Sequence, residues 1–481
     1  MKNLNFTLGT IIFFLFSFVI IGRANFADTY GFSASGMARG NAMTAIAHDW
    51  SSVYYNMAGL GKTVKYRKIK EKKKYESDFE DDFYSDLEEE KNDNNGLIFY
   101  DQFAFFCFYS YPFFEIDIPR SDVKGDEDLD LRVGVIGLVL DLNHFYKMPD
   151  FISSARFGLG AGLVQDDFSL YMARINSVDL RTHNFVRYGR EAARMVILSG
   201  VGFGLFDDMF GVGLGANVFG GGDGSVLVDS VEVGPEKQSP EIQSKLDIKP
   251  KIAPALGLYF SPGKVNSKLS PLEWGVSYRG ELFLEVEPVD VGAIVEAANL
   301  DMEINFYIFG FYTPHTFSTG ISYDLQLLQV SFDVEYQMWS KYKASNAREE
   351  FYTVNNIGSI QEYRDIFIPK VGGSLKVLDW LTLVGGYYYQ PSIVKDSSLE
   401  GVFNQLDNDK HVLSGGMEII VPKKFGMMNP VNLNLGLQYQ YLVPKDVTKK
   451  TNSSEEEAAL NPNYSFGGNC LTATCEVILP F

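Results

Sequence analysis

"LEWGVSYRGELFLEVE", residues 272–287, alternates apolar and polar side chains almost from end to end. Leu272, Trp274, Val276, Tyr278, Gly280, Leu282, Leu284 and Val286 share one face. Glu273, Gly275, Ser277, Arg279, Glu281, Phe283, Glu285 and Glu287 share the other. A period of two is the signature of a β-strand whose two faces meet different environments. The usual globular strand has about 5–6 residues, and this run is far longer. The pattern returns in "QVSFDVEYQMW" (329–339), where Val330, Phe332, Val334, Tyr336 and Met338 oppose Ser331, Asp333, Glu335 and Gln337. It returns in "VNLNLGLQYQY" (431–441), with Val431, Leu433, Leu435, Leu437, Tyr439 and Tyr441 on one side. Shorter or noisier versions lie near 97–109, 131–142, 156–171, 194–205, 209–220, 251–260, 302–311, 315–325, 366–377, 380–390 and 411–421.

Two architectures bury one face of long alternating strands. A soluble sandwich turns the apolar face into a core, whereas a transmembrane barrel turns it to lipid and keeps the polar face inside. Crossing the hydrocarbon takes about 9–11 tilted residues per strand, which these runs supply. Tyr439 and Tyr441, ending an apolar face, fit an interfacial aromatic girdle. The sequence therefore predicts an all-β, transmembrane antiparallel barrel, with roughly fourteen or fifteen candidate strands.

Composition agrees. Of 481 residues, 46% are hydrophobic and 14% aromatic, with 45 Gly; the mean hydropathy of −0.06 requires apolar and polar residues to be finely mixed. A net charge of −19 leaves no surplus of cations to neutralise phosphates, so a nucleic-acid partner is not expected. Lys2 followed by the uncharged run "LGTIIFFLFSFVII" (8–21) and by Gly22 and Ala24 reads as an export signal over residues 1–24. Cleavage after Ala27 is the alternative to cleavage after Ala24. The three cysteines, Cys107, Cys470 and Cys475, leave at least one thiol free or paired between chains. On one extended strand Cys470 and Cys475 stand about 16 Å apart, too far to bridge.

Loop lengths are asymmetric. "YTPHT" (312–316) and "DLQL" (324–327) read as tight turns, against long polar stretches at 222–249, 341–364, 392–409 and 443–468. Residues 65–96 run from basic "KYRKIKEKKK" to acidic "ESDFEDDFYSDLEEEKNDNN" and read as a solvated, loop-like insertion. The last residues, "LTATCEVILPF", alternate and end on Phe481, the place of a barrel insertion signal.

Motifs for other chemistries fail on their residues. "NMAGLGKT" would be half of a phosphate loop, but Asn56 stands where the first glycine is required. "GLGAGL" (158–163), "GVGFGLF" (200–206) and "GVGLGAN" (211–217) repeat glycine every second residue, on one face of a strand, rather than at dinucleotide-loop spacing. His48 with Asp49 and Ser51 or Ser52 offers no nucleophile elbow. His315 and His411 begin strands and suit a membrane interface. No cofactor and no metal site is expected.

Residues 28–62, "DTYGFSASGMARGNAMTAIAHDWSSVYYNMAGLGK", resemble the opening of the FadL-type outer-membrane transporters of long-chain fatty acids and hydrocarbons. The matching positions are Gly36, Gly40, Ala45, Ala47, Asp49, Ser51, Tyr54, Tyr55, Asn56, Ala58, Gly59 and Leu60. Similar pieces follow at 313–325, 333–342, 385–392 and 406–419. The resemblance implies a barrel of about fourteen strands over residues 63–481, closed by a short helical hatch over 25–62. It implies a monomer in the Gram-negative outer membrane, inserted by the barrel-assembly machinery among outer-membrane lipids. It also implies passive uptake of a hydrophobic small molecule, captured outside the cell and released sideways through the barrel wall, without enzymatic chemistry. Asp49, Tyr54, Tyr55, Asn56, Met57, Ala58 and Gly59 would form the gating part of the hatch. Arg279 is a candidate partner for a substrate carboxylate, with the lumen acid Glu281 as its competing partner. Met57 replaces the family's proline, leaving open whether it loosens the hatch or fills it. A general diffusion porin, which would lack a plug, and an outer-membrane lipid-modifying enzyme are the rival readings.

Overall fold

A computed structural model describes residues 26–63, 101–118, 129–164, 183–188, 196–229, 241–284, 289–295, 300–306, 311–341, 362–400, 404–421, 429–450 and 462–481. The expected leader over 1–24 and the charged stretch 65–96 lie outside the described residues.

Fourteen antiparallel strands close into one barrel. They are β1 (Gln102–Asp117), β2 (Leu131–Asp141), β3 (Ile152–Val164), β4 (Val196–Leu205), β5 (Phe210–Asp229), β6 (Glu241–Phe260) and β7 (Leu272–Arg279). The circuit continues with β8 (Thr316–Asp324), β9 (Leu328–Gln337), β10 (Ile366–Leu378), β11 (Leu381–Gln390), β12 (Lys410–Val421), β13 (Val431–Val447) and β14 (Tyr464–Pro480). Each strand pairs with its neighbours in sequence, and β1 pairs with β14 from Gln102↔Pro480 to Asp117↔Ser465. Closure leaves no edge of unpaired backbone groups, the condition for sheet structure in lipid.

The alternation predicts which way each side chain faces. On β9, Ser331, Asp333, Glu335 and Gln337 are buried in the lumen, while Val330 and Phe332 are exposed on the outside. On β13 and β14, Gln438, Gln440, Thr472, Thr474 and Glu476 turn inward, while Leu437, Tyr439, Tyr441, Leu471 and Leu479 turn outward. An apolar exterior over a polar interior inverts the soluble pattern and suits lipid. At one rim the outer tyrosines are capped by polar partners: Tyr336 donates to Asp365 (2.6 Å) and Tyr389 to Asp409 (2.8 Å). Tyr278 and Tyr387 meet the Nδ1 atoms of His315 (2.9 Å) and His411 (2.7 Å). Both histidines thus lie at the rim of the barrel, where their strands begin.

Connections are short at the end that holds the start of β1 and the end of β14, where Phe481 N donates to Asp101 O (2.8 Å). The long connections are all at the other end. Several expected boundaries change. The long run over 272–287 is interrupted: β7 stops at Arg279, and Leu282–Leu284 pairs instead with Phe311–Thr313. Gly280 N donates to Pro254 O (2.8 Å), and the Pro254 ring occupies the space beside Gly280. Pro254 has no N–H to continue the ladder. "YTPHT" is therefore the end of a long connection and not a tight turn, whereas 324–327 does join β8 to β9. The candidate strand at 302–311 belongs to a two-stranded ribbon, Val289–Val295 with Leu300–Phe306, outside the barrel circuit. The expected loop at 222–249 is mostly strand, because β5 and β6 pair as far as Asp229↔Glu241. All three cysteines are free. Cys470 turns into the lumen beside Ser110 Oγ (2.9 Å), while Cys107 and Cys475 face each other across the β1–β14 seam.

Candidate functional site

The lumen is occupied by the chain's own N-terminal segment. Residues 26–63 form α1 (Phe26–Thr29), α2 (Ala34–Ala38), α3 (Ser52–Tyr55) and a 3-10 turn over Met57–Gly61. Helices this short are not stable alone, so the segment depends on caps and on the barrel wall. Ser33 Oγ caps α2 by accepting from Gly36 N (3.0 Å). Asp49 Oδ1 accepts from Ser51 N (2.9 Å) and Ser51 Oγ (2.6 Å) and sets the entry to α3. Asn56 ends α3: its side chain donates to Thr44 O (2.8 Å) and Leu258 O (3.0 Å) and accepts from Ala58 N (3.1 Å).

The glycine repeats make room for this segment. Gly158, Gly160 and Gly162 of β3 face Leu60, Phe32 and Phe26, and Gly137 of β2 faces the Trp50 ring. Gly202 and Gly213 lie against the Met57 backbone, and Gly257 against Asn56. A side chain at any of these positions would overlap the segment, which is why the inward phase of β2–β6 is so often glycine. The notches hold an aromatic stack in which Phe32 lies between Phe26 (6.1 Å), Trp50 (5.4 Å) and Tyr54 (5.3 Å).

Charged pairs tie the segment to the wall. Arg39 pairs with Glu418 of β12, and Lys62 with Glu273 at the start of β7 (2.7 Å). Trp50 Nε1 donates to Glu476 of β14 (2.8 Å), and Thr44 N to Asp333 of β9 (2.7 Å). Arg279 meets Asp28 of α1 at 3.0 Å, donates to Tyr54 O (3.1 Å) and lies 4.1 Å from the Tyr54 ring centre. Tyr54 OH donates to the same Asp28 oxygen (2.7 Å). Glu281, the competing partner read from sequence, instead contacts His315 (3.4 Å) and Tyr312. Gly280 breaks the strand between the two residues, so Glu281 does not share the lumen with Arg279.

Of the predicted hatch residues, Tyr54, Tyr55, Asn56, Met57, Ala58 and Gly59 are all buried in the lumen, and Asp49 is partly exposed. Tyr55 OH accepts from Phe32 N (3.1 Å) and donates to Asn41 Oδ1 (2.7 Å). Met57 is 2% exposed, and its thioether fills the space inside Gly200 and Gly215. Asn56 has φ −164° and ψ 107°, extended rather than helical, as suits the residue before a proline, and Met57 opens the turn, where proline is tolerated. A Met57→Pro variant should therefore fit the backbone but lose the packing. Losing the side chain costs about 2–5 kcal/mol, against about 0.4–1 kcal/mol regained from a stiffer chain. Amide exchange over residues 44–61 should speed up; slower exchange would mean that Met57 loosens the hatch.

A second layer covers the segment at the long-loop end. Residues 183–188 descend onto α1, and Asn184–Phe185 pairs in parallel with Gln405–Leu406. Arg187 is bidentate to Asp407, Nε to Oδ1 (2.8 Å) and Nη2 to Oδ2 (2.6 Å), and its carbonyl accepts from Thr29 Oγ1 (3.3 Å). Phe185 and Tyr188 pack on Phe114 at 4.6 and 4.7 Å, and Phe185 reaches Phe466 at 6.1 Å. The chain's own aromatic side chains thus form a packed apolar cluster above the N-terminal segment. Desolvation holds His183 down at about 4, so this cover carries a neutral imidazole near neutral pH. Arg187 and Asp407 were not legible in the sequence, because nothing periodic marks an irregular loop. Lys410, Glu418 and Glu476 could have been found as charges in the inward phase of otherwise apolar strands.

Among the described residues no group of three or more His, Cys, Asp or Glu is placed to hold a metal ion. No family model matches the chain. It is 27% identical over 139 residues to the alkane uptake protein A of Marinobacter nauticus; that match covers 28% of this chain and 30% of that protein. Among solved structures, a FadL homologue from Pseudomonas aeruginosa superposes with a TM-score of 0.51 at 12% identity, covering 94% of this chain and 98% of that one. A TodX monoaromatic hydrocarbon channel carrying a deltaS2S3 mutation gives 0.50 at 12% identity, over 94% and 100% of the two chains. The structural likeness is one of fold.

Proposed function

We propose, on the premise that the chain is a FadL-type barrel, that it is an outer-membrane channel for passive, energy-independent uptake of hydrophobic molecules. The observation that carries this reading is the aromatic cluster of Phe114, Phe466, Phe185 and Tyr188 directly above the hatch. A hydrophobic molecule entering from the long-loop end replaces these side chains and meets α1 below them. A general diffusion porin would need an open aqueous lumen, which the segment 26–63 fills.

Residues 26–63 act as the hatch, held by ion pairs and hydrogen bonds that can break one at a time. Sideways release follows from the energetics of the cargo, which gains about 0.8 kcal/mol per buried CH₂ and so favours lipid over a watery exit. The wall is lowest at β7, which has 8 residues beside the 20 of β6. The β6–β7 ladder ends at Ala255↔Arg279, next to the Arg279–Asp28 pair, and this edge is our choice for the outlet. Removal of the leader after Ala24 keeps Phe26 and Ala27, which are 2% and 3% exposed and packed in the lumen; cleavage after Ala27 would discard them.

Uptake of a labelled long-chain fatty acid and of toluene by cells with and without the protein tests the reading. Loss of the protein should reduce entry of at least one of them to the level of passive permeation. Unchanged uptake of both would overturn it.

A further inference from the structure

The chain of 481 residues has 3 cysteines, and two of them meet. Cys107 lies on the first strand of the circuit and Cys475 on the last, yet they are direct partners in the β1–β14 register. Both turn to the outer face, in phase with Phe105, Tyr109, Leu471 and Leu479, and both are partly exposed. Phe481 N donates to Asp101 O, which makes these two residues a hydrogen-bonded pair of the ladder. The register runs on without a bulge to Cys107↔Cys475, an even number of residues away, so the cysteines form a pair of the same kind. Such pairs hold their Cα atoms about 5.5 Å apart, inside the range of about 4.4–6.8 Å that a disulfide spans. Directly opposed Cβ atoms stand about 4.5–5.5 Å apart, so an approach of about 1 Å brings them to bonding distance. Gly134, the partner of Cys107 on β2, leaves open space on that side, which gives the sulfur room to turn. Cys470 has no such access: it is 0% exposed, points into the lumen and contacts Ser110 Oγ (2.9 Å).

We propose that Cys107 and Cys475 are oxidised to a disulfide that clasps the first strand of the barrel to the last. The proposal rests on export of the chain and not on what it carries. An exported protein meets an oxidising compartment, where disulfides form and persist. The oxidant is a protein or small molecule that itself carries a disulfide. The thiolate of one cysteine attacks a sulfur of that disulfide, whose S–S bond breaks and releases one thiolate. The thiolate of the other cysteine then attacks the mixed disulfide. The Cys107–Cys475 bond forms, and the oxidant leaves as a dithiol that has taken up both electrons and both thiol protons. A thiolate is a charge, which lipid disfavours. The exchange therefore belongs to assembly, when β1 and β14 meet and before lipid covers the seam. The bond closes nearly the whole barrel into one covalent loop, and the constraint on the unfolded chain grows with the length of the loop. A seam so joined does not part when its ladder breaks.

The test uses the full-length protein isolated from outer membranes, unfolded at lysis in the presence of a maleimide that blocks every free thiol before air oxidises it. After digestion the label should sit on Cys470 alone, and mass spectrometry should find the Cys107 and Cys475 peptides joined. Reduction before labelling should place the label on all three cysteines. Cys475→Ala should leave Cys107 and Cys470 both labelled. In detergent, the folded variant should unfold at a temperature lower by roughly 5 °C or more than the unreduced wild type. Label on all three cysteines of the unreduced wild type overturns the proposal, as does a bond that involves Cys470 or joins two chains. A Cys107–Cys475 bond whose loss leaves the unfolding temperature unchanged overturns the clasp. The thiol count needs no variant, so it stands even if Cys475→Ala fails to fold.

Discussion

A chain lacking residues 28–62 should insert as a barrel of unchanged strand content and conduct ions continuously. The strands close on themselves, and the β1–β14 seam is made without any residue of the deleted segment. What the deletion uncovers is a polar lining: Ser277, Asp333, Glu335, Gln438, Thr472 and Glu476 all turn inward. Such a lining fills with water once nothing packs on it, as in channels with polar interiors, and conductance should rise by roughly tenfold or more over the full-length protein. The glycine notches of β3, β4 and β5 widen the pore further, since they lose the groups they were shaped around. Planar-bilayer recording checks the conductance, and circular dichroism checks the fold. A barrel that folds but stays closed would show that residues 28–62 do not plug it.

Replacing Arg279 with methionine should release the hatch without opening the wall. Asp28 would lose its guanidinium partner while still accepting from Tyr54, and breaking a largely buried pair from one side costs about 3–5 kcal/mol. If that cost falls on the docked hatch, the open population rises roughly a hundred- to several-thousand-fold. Removing both charges, with Asp28→Asn and Arg279→Met together, should restore most of the closure, because no carboxylate is then left without the guanidinium it faced. The four proteins form a cycle whose interaction term, read from open probability in bilayers, isolates the pair. Additive effects would mean that Arg279 and Asp28 do not act on each other, and that the latch lies elsewhere.

The two experiments separate a plug from its fastening. Deletion asks whether the segment blocks the pore; the Arg279 cycle asks which contact holds it there.

The barrel was legible from sequence because period-two alternation is local. Val330 and Ser331 point to opposite sides whatever the rest of the chain does, and long runs of such pairs fit lipid outside and polar groups inside. Strand number and the inward glycine phase were readable on the same ground. The hatch was legible only as a resemblance, because its helices have 4 or 5 residues and no periodicity of their own. Tertiary structure alone decided three matters. It ended β7 at Arg279, because Pro254 on the neighbouring strand has no N–H to extend the ladder. It gave Arg279 to Asp28 instead of Glu281, a partner 251 positions away that no local pattern can identify. It brought Arg187 from an irregular loop onto Asp407, a partner 220 positions away, so that this ion pair exists only once the chain has folded. Backbone alternation is written residue by residue, whereas electrostatic balance in a lumen depends on which distant charges share the same dry space.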